Sequence, residues 1–162
     1  MYEIWLRAVA VGLGATLLMD AWGLLLKHLY DVKGLDYRFV GRWIGHMTRG
    51  QFSHADIRNA PATRYEAGIG WAVHYTIGIL FALALVAAWG RNWLEIPTLL
   101  PALVTGLLTL SAPLFIMQPA FGFGFASSRT PNPMKARARS LITHTIFGLG
   151  LFVTAKALAS SF

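Results

Sequence analysis

Four apolar runs, each about as long as a bilayer is thick, constrain this chain more than anything else in it. They cover residues about 4–29, 66–89, 97–121 and 140–159. An α-helix needs roughly 20 residues to cross about 30 Å of hydrocarbon. The expectation is an all-α polytopic membrane protein: four transmembrane helices in a single domain over 1–162, with long loops at about 30–65 and 122–139. Composition agrees, since only 13% of residues are charged and 56% are hydrophobic, where a soluble domain carries roughly a quarter charged. A charge at the membrane centre costs several kcal/mol, which accounts for the deficit. The first run reads as a span and not as a signal peptide: Glu3 precedes its only arginine, and no small-residue cleavage site follows.

The chain has no cysteine, which excludes disulfides, thiolate metal sites and cysteine nucleophiles. Its net charge of +7 comes from basic residues lying between the apolar runs, not in a stripe. That is a topology signal with attraction to anionic lipid, and no nucleic-acid partner is expected. Lys27, Lys33, Arg38, Arg42, Arg49, Arg58 and Arg64 flank or fill the first long loop; Arg129, Lys135, Arg137 and Arg139 fill the other. Only Arg7, Arg91 and Lys156 fall on the opposite side. The positive-inside rule therefore puts both long loops in the cytoplasm and both termini in the periplasm of a bacterial inner membrane. Trp5, Trp89 and Trp93 fit an outer aromatic belt, and Trp22 and Trp71 an inner one.

Within the first loop, residues 37–50 place Phe39, Val40, Trp43, Ile44 and Met47 at helical spacing, with Arg38, Arg42 and Arg49 elsewhere. This predicts a short interfacial helix stopping near Gly50. The second loop, rich in glycine and proline over 122–133, predicts irregular chain that re-enters helix through Lys135 to Arg139. Pro61, His74 and Gly78 repeat the spacing of Pro131, His144 and Gly148. Two diverged hairpins in parallel orientation would explain it, and so would chance.

The intramembrane polar residues carry the functional argument. With the stated topology, Asp20, Glu66, His74, Met117, Gln118 and His144 all fall toward the cytoplasmic third. Asp20 shares a helix face with Gly12 and Thr16, His74 with Gly70 and Gly78, and His144 with Ser140 and Gly148. Small residues let membrane helices approach closely, so these faces are expected to point into the bundle. Ionisable residues there are offset by partners, and Asp20 with His74 is the preferred pair. Each residue also has a plainer reading: Asp20 as a structural lock, Glu66 complementing a helix dipole, Gln118 satisfying backbone groups freed by Pro119. His28 and His46 read as interfacial. His54 could fold back toward the site.

Met19-Asp20-Ala-Trp22, Gly41-Arg-Trp43, Gly50-Gln-Phe-Ser-His54, Gly70-Trp-Ala-Val-His-Tyr75, Trp93-Leu-Glu-Ile-Pro-Thr98, Met117-Gln-Pro119 and His144-Thr-Ile-Phe-Gly148 carry a resemblance over nearly the whole chain. It resembles a family of small bacterial four-helix inner-membrane proteins catalogued as a domain of unknown function. The resemblance implies that Asp20, His54, His74, Met117, Gln118 and His144 are characteristic, and it implies no activity, substrate or catalytic residue.

Three functions compete at this point. The first is binding or translocation of a cation, proton or small polar solute at Asp20, Glu66, His74, Met117, Gln118 and His144. Four helices are few for a carrier, so this version expects a homodimer. The second is a divalent metal or haem held by His74 and His144, with Asp20 and His54 as further ligands. The third is an accessory or assembly subunit of a larger membrane complex. A weaker reading has Arg129, Arg137 and Arg139 binding an anion or lipid headgroup. No catalytic motif is present, and an enzyme is the less favoured class.

Overall fold

The apolar runs become helices because lipid offers their backbones no other partner. The computed structural model describes residues 2–32 and 34–160, so Lys33, counted above among the loop cations, lies outside the described residues. Among the described residues all regular structure is helical. The long helices are α1 (Tyr2–Tyr30), α3 (Glu66–Trp89) and α7 (Pro133–Ala159). The remaining apolar run, Leu99–Ala120, is built from α5 (Leu99–Thr109), a π-helical turn (Pro113–Met117) and α6 (Gln118–Ala120). All four segments, 22 to 29 residues long, are long and apolar enough to cross a membrane. This is an all-α, multi-pass membrane protein. Two short helices join them: α2 (Tyr37–Met47) and α4 (Asn92–Glu95).

Proline chemistry sets two boundaries. Pro113 has no N–H, and its ring cannot sit against the carbonyl four residues back. The helix widens there, and the Gln118 amide reaches the Pro113 carbonyl five residues earlier. α7 begins at Pro133, seven residues before the start expected from hydropathy. The Asn132 side chain accepts from the Lys135 amide at 3.0 Å, and a proline at the first helical position loses no bond. Polar residues can therefore open a helix that apolar counting starts later.

The chain divides into two compact units, each drawn from separated stretches of sequence. The first comprises Met1–Gly34, Tyr75–Thr109 and Leu141–Phe162. Its interior is made largely of small residues, among them Ala8, Ala15, Ala82, Ala102 and Ala155, while Leu17, Leu24, Leu80, Leu100 and Leu108 stand exposed. Leucine facing outward is what a bilayer favours, because lipid tails are as apolar as leucine and packing depends on close backbone approach. Gly12 of α1 lies against the Gly78 carbonyl and Ile79 of α3, and Gly106 of α5 against Gly148 of α7. Trp93, expected in an outer belt, is instead 5% exposed within this interior. Its indole N–H donates to the Thr98 carbonyl at 3.1 Å, which gives a buried indole the acceptor it needs.

The second unit comprises Leu35–His74 and Leu110–Ser140. Val40, Ile57, Ala120 and Phe121 form its core, with Trp43 meeting Phe121 edge to face at 5.7 Å. The stretch before the short 3-10 turn Ile57–Asn59 is pinned to the end of α6. The His54 amide donates to the Ala120 carbonyl at 2.8 Å, and the Ile57 amide to the Phe121 carbonyl at 3.0 Å. α2 crosses the start of α3 at Gly41 and Gly70, where a side chain on either glycine would collide with the opposing backbone. The helix expected over 37–50 is present, and Gly50, with φ of +79°, follows it in the left-handed region. Its packing differs from the interfacial expectation: Arg42 and His46 are buried, at 9% and 5% exposure.

Candidate functional site

In the first unit, the Gly12–Thr16–Asp20 face of α1 lies on α3, as the small-residue spacing predicts. Thr16 is fully buried, donating to the Gly12 carbonyl at 2.8 Å. One turn further, the Tyr75 hydroxyl donates to Asp20 Oδ2 at 2.9 Å. Asp20 was expected to pair with His74; the Tyr75 hydroxyl, from the next residue of α3, is a partner that expectation did not include. Adjacent helical positions point about 100° apart, and the His74 ring is turned to α2. It stacks on Tyr37 at 4.1 Å between centroids, with Trp71 edge-on at 5.8 Å.

His144, also in the first unit, meets Thr109. The Thr109 hydroxyl donates to the Gly106 carbonyl at 2.6 Å, so its oxygen is left to accept, and His144 Nδ1 lies 2.8 Å away. Nδ1 therefore carries the proton, and in a neutral ring the lone pair sits on Nε2. A fixed tautomer of this kind is what orients a histidine for proton exchange or ligation.

The second unit holds the other candidates. Glu66 faces Arg42 in a bidentate ion pair, with Nε to Oε2 and Nη2 to Oε1 both 2.9 Å. Both side chains are nearly buried. Arg42 Nη1 also donates to the carbonyls of Ile57, Arg58 and Ala60. The guanidinium is thus a clamp gathering α2, the 57–60 turn and the start of α3, which explains why it is buried and not lipid-facing. Gln118 Oε1 accepts from the buried Ser127 hydroxyl at 2.7 Å, and Ser127 itself has φ of 63°. Met117 packs against the Val40–Phe121 core. Arg129 and Arg137 are exposed, and Arg137 Nε donates to the Ala126 carbonyl at 2.7 Å. Arg139 is half-buried.

His54 meets His46, with His54 Nε2 2.6 Å from His46 Nδ1. Burial pushes the His54 imidazole below its ordinary range, as does the neighbouring His46, against an opposing effect of its backbone bond to Ala120. Among the described residues no three His, Asp or Glu side chains gather as metal ligands would. Sequence reasoning missed Tyr75 and Thr109, and the roles of Arg42 and of Ser127, which it had weighed only as an anion ligand. Only Tyr75 had a signal, standing between His74 and Gly78 on an intramembrane helix.

A family model described as "protein of unknown function (DUF2938)" matches residues 9–158. The chain belongs to this family. No curated protein and no solved structure matches it. The DUF2938 match spans every candidate residue from Asp20 to His144, so the polar constellations belong to the family region and not to an appended tail.

Proposed function

We propose that this DUF2938 protein sits in a bacterial inner membrane, termini periplasmic and long loops cytoplasmic, and binds and passes a proton or small cation at Asp20. The observation that carries the reading is the Tyr75–Asp20 bond inside α1 and α3. Asp20 stands ten residues before the end of a 29-residue apolar helix, roughly 15 Å along its axis at 1.5 Å per residue. An ionisable group at such depth is costly unless function or a partner holds it. The Tyr75 phenol orients the carboxylate, and a carboxylate within an apolar helix can take up a proton or small cation. The close Gly12–Gly78 crossing brings α1 and α3 together on this face.

Purified protein in sealed liposomes tests this. A pH or alkali-cation gradient should collapse faster than in protein-free vesicles, and Asp20→Asn should return the rate to background. Wild-type vesicles as tight as empty ones to protons and alkali cations would refute it.

A further inference from the structure

The chain over 122–139 carries Arg129, Lys135, Arg137 and Arg139, and no Asp or Glu occurs anywhere after Glu95. The carboxylates of the second unit are Asp36, Asp56 and Glu66, and each is tied to another arginine: Arg38, Arg58 and Arg42. Among the described residues no ion pair involves Arg129 or Arg137. Both of these cations are attached to one turn. Its backbone lies in the left-handed region at Gly124, Ala126 and Ser127, with φ of 75°, 47° and 63°, a region uncommon for residues other than glycine. Ser127 is held there by its buried hydroxyl on Gln118, and Ala126 by Arg137 Nε, which donates to its carbonyl at 2.7 Å. The Arg129 amide donates to the Phe123 carbonyl at 2.9 Å and closes the turn. Backbone kept in a strained conformation by several bonds points to a function. The turn's effect is to stand Phe125 out at 66% exposure, with the exposed Arg129 and Arg137 on either side of it in sequence. Met134, 69% exposed, lies with its Sδ 3.9 Å from Arg137 Nη1.

We propose that this turn is a binding site for anionic phospholipid, in which Arg129 and Arg137 hold the headgroup phosphate while Phe125 and Met134 enter the boundary of the acyl chains. The depth follows from helix length. α7 has 27 residues, about 40 Å at 1.5 Å per residue, against about 30 Å of hydrocarbon. Its polar first two turns are therefore left to the headgroup layer, and the 122–132 stretch leads directly into them. Arg137 Nε is taken by the Ala126 carbonyl, which leaves its two Nη groups for phosphate oxygens, the acceptors a guanidinium fits best. Arg139 is half-buried and stands outside the site. A zwitterionic lipid brings its own ammonium beside the phosphate, which opposes two arginines. A free phosphate has no chain for Phe125 and Met134 to meet. An anionic phospholipid answers both halves of the surface, charge and apolar area together.

The test is native mass spectrometry of the full-length protein from detergent micelles holding equal amounts of phosphatidylglycerol and phosphatidylcholine. A basic side chain near an anionic surface contributes about fivefold in binding, so two should enrich phosphatidylglycerol among the retained lipids by about thirtyfold. Arg129→Gln should lose about fivefold of this, and the double variant with Arg137→Gln should retain the two lipids about equally. Arg49→Gln with Arg64→Gln removes the same charge from other exposed positions of the unit and should keep the preference. A wild type without preference overturns the proposal, as does a double variant at 129 and 137 that keeps it. Equal loss in the 49 and 64 control also overturns it, because general surface charge would then suffice. Displacement of the lipid by added inorganic phosphate would mark a free-anion site and overturn it too. Should the glutamine variants lose their helical circular dichroism, photoactivatable phosphatidylglycerol on the wild type decides. Crosslinks within 122–139 support the site, and crosslinks confined to other segments overturn it. The vesicle experiment on Asp20 is unaffected by either result.

Discussion

The hydroxyl of Tyr75 reaches the carboxylate of Asp20 across 2.9 Å, joining two apolar helices separated by 55 positions in the chain. Both side chains are half-buried, within the segments read as membrane-spanning. Tyr75→Phe removes the donor and leaves the ring. The expected cost is about 1 kcal/mol, the range measured for hydrogen bonds between membrane helices. Unfolding in mixed detergent, followed by circular dichroism, measures it. Asp20→Asn should cost no more than this, since an amide oxygen still accepts.

Arg42 and Glu66 are expected to be the most sensitive pair in the second unit. Removing one partner of a buried ion pair costs about 3–5 kcal/mol because the other charge is left unpaired. Arg42→Ala should therefore destabilise far more than Arg58→Ala, whose pair with Asp56 is largely exposed. Arg42→Lys should recover only part of the loss, because an ammonium cannot span Glu66 and three carbonyls at once. Thermal melting of the three variants ranks them.

Gly41 and Gly70 leave no room for a side chain. A methyl group on Gly41 would overlap the Glu66 carbonyl, and one on Gly70 the Tyr37 carbonyl. Overpacking of this kind typically costs about 1–3 kcal/mol, more where backbone must move. Gly41→Ala and Gly70→Ala should lower the melting temperature sharply. Gly23→Ala, with open space around it in α1, should leave it unchanged or raise it.

His144 is expected to be locked as the Nδ1–H tautomer by Thr109. Nitrogen-15 NMR of the imidazole should report that tautomer in the wild type. Thr109→Val removes the acceptor, and the resonance should shift toward the Nε2–H form.

Asp36 caps α2, accepting from the Arg38 amide and pairing with its guanidinium. That pairing holds its carboxyl below the ordinary range. A carboxyl depressed in the folded state contributes stability that is complete above its unfolded pKa, about 3.9, and is lost as pH falls through the folded value. Protection of the Arg38 amide, corrected for intrinsic exchange, should be constant near neutrality and fall below about pH 4. Asp36→Asn should keep the cap and abolish this pH dependence.

The four spans were legible because spanning is a local property: enough consecutive apolar residues settle it whatever packs beside them. The second span was legible to its limits, Glu66 and Trp89. The small-residue face of α1 was legible for a similar reason, since Gly12, Thr16 and Asp20 recur one helical turn apart. Helix re-entry through Lys135 to Arg139 was legible, but counting apolar residues started the span at 140, because Asn132 and Pro133 open α7 with local capping chemistry that hydropathy does not weigh. Trp93 was misjudged because a tryptophan beside a span can sit at the headgroups or, given the Thr98 carbonyl, turn inward.

Sequence by itself therefore determined the helices and their apolar character. Tertiary structure decided who meets whom. Asp20 receives Tyr75, Arg42 leaves the interface for Glu66, and His46 joins His54. Each outcome depends on how a helix is rotated and where a loop returns. A rotation of about 100° exchanges one helical neighbour for the next, with no change in the hydropathy that marks the span.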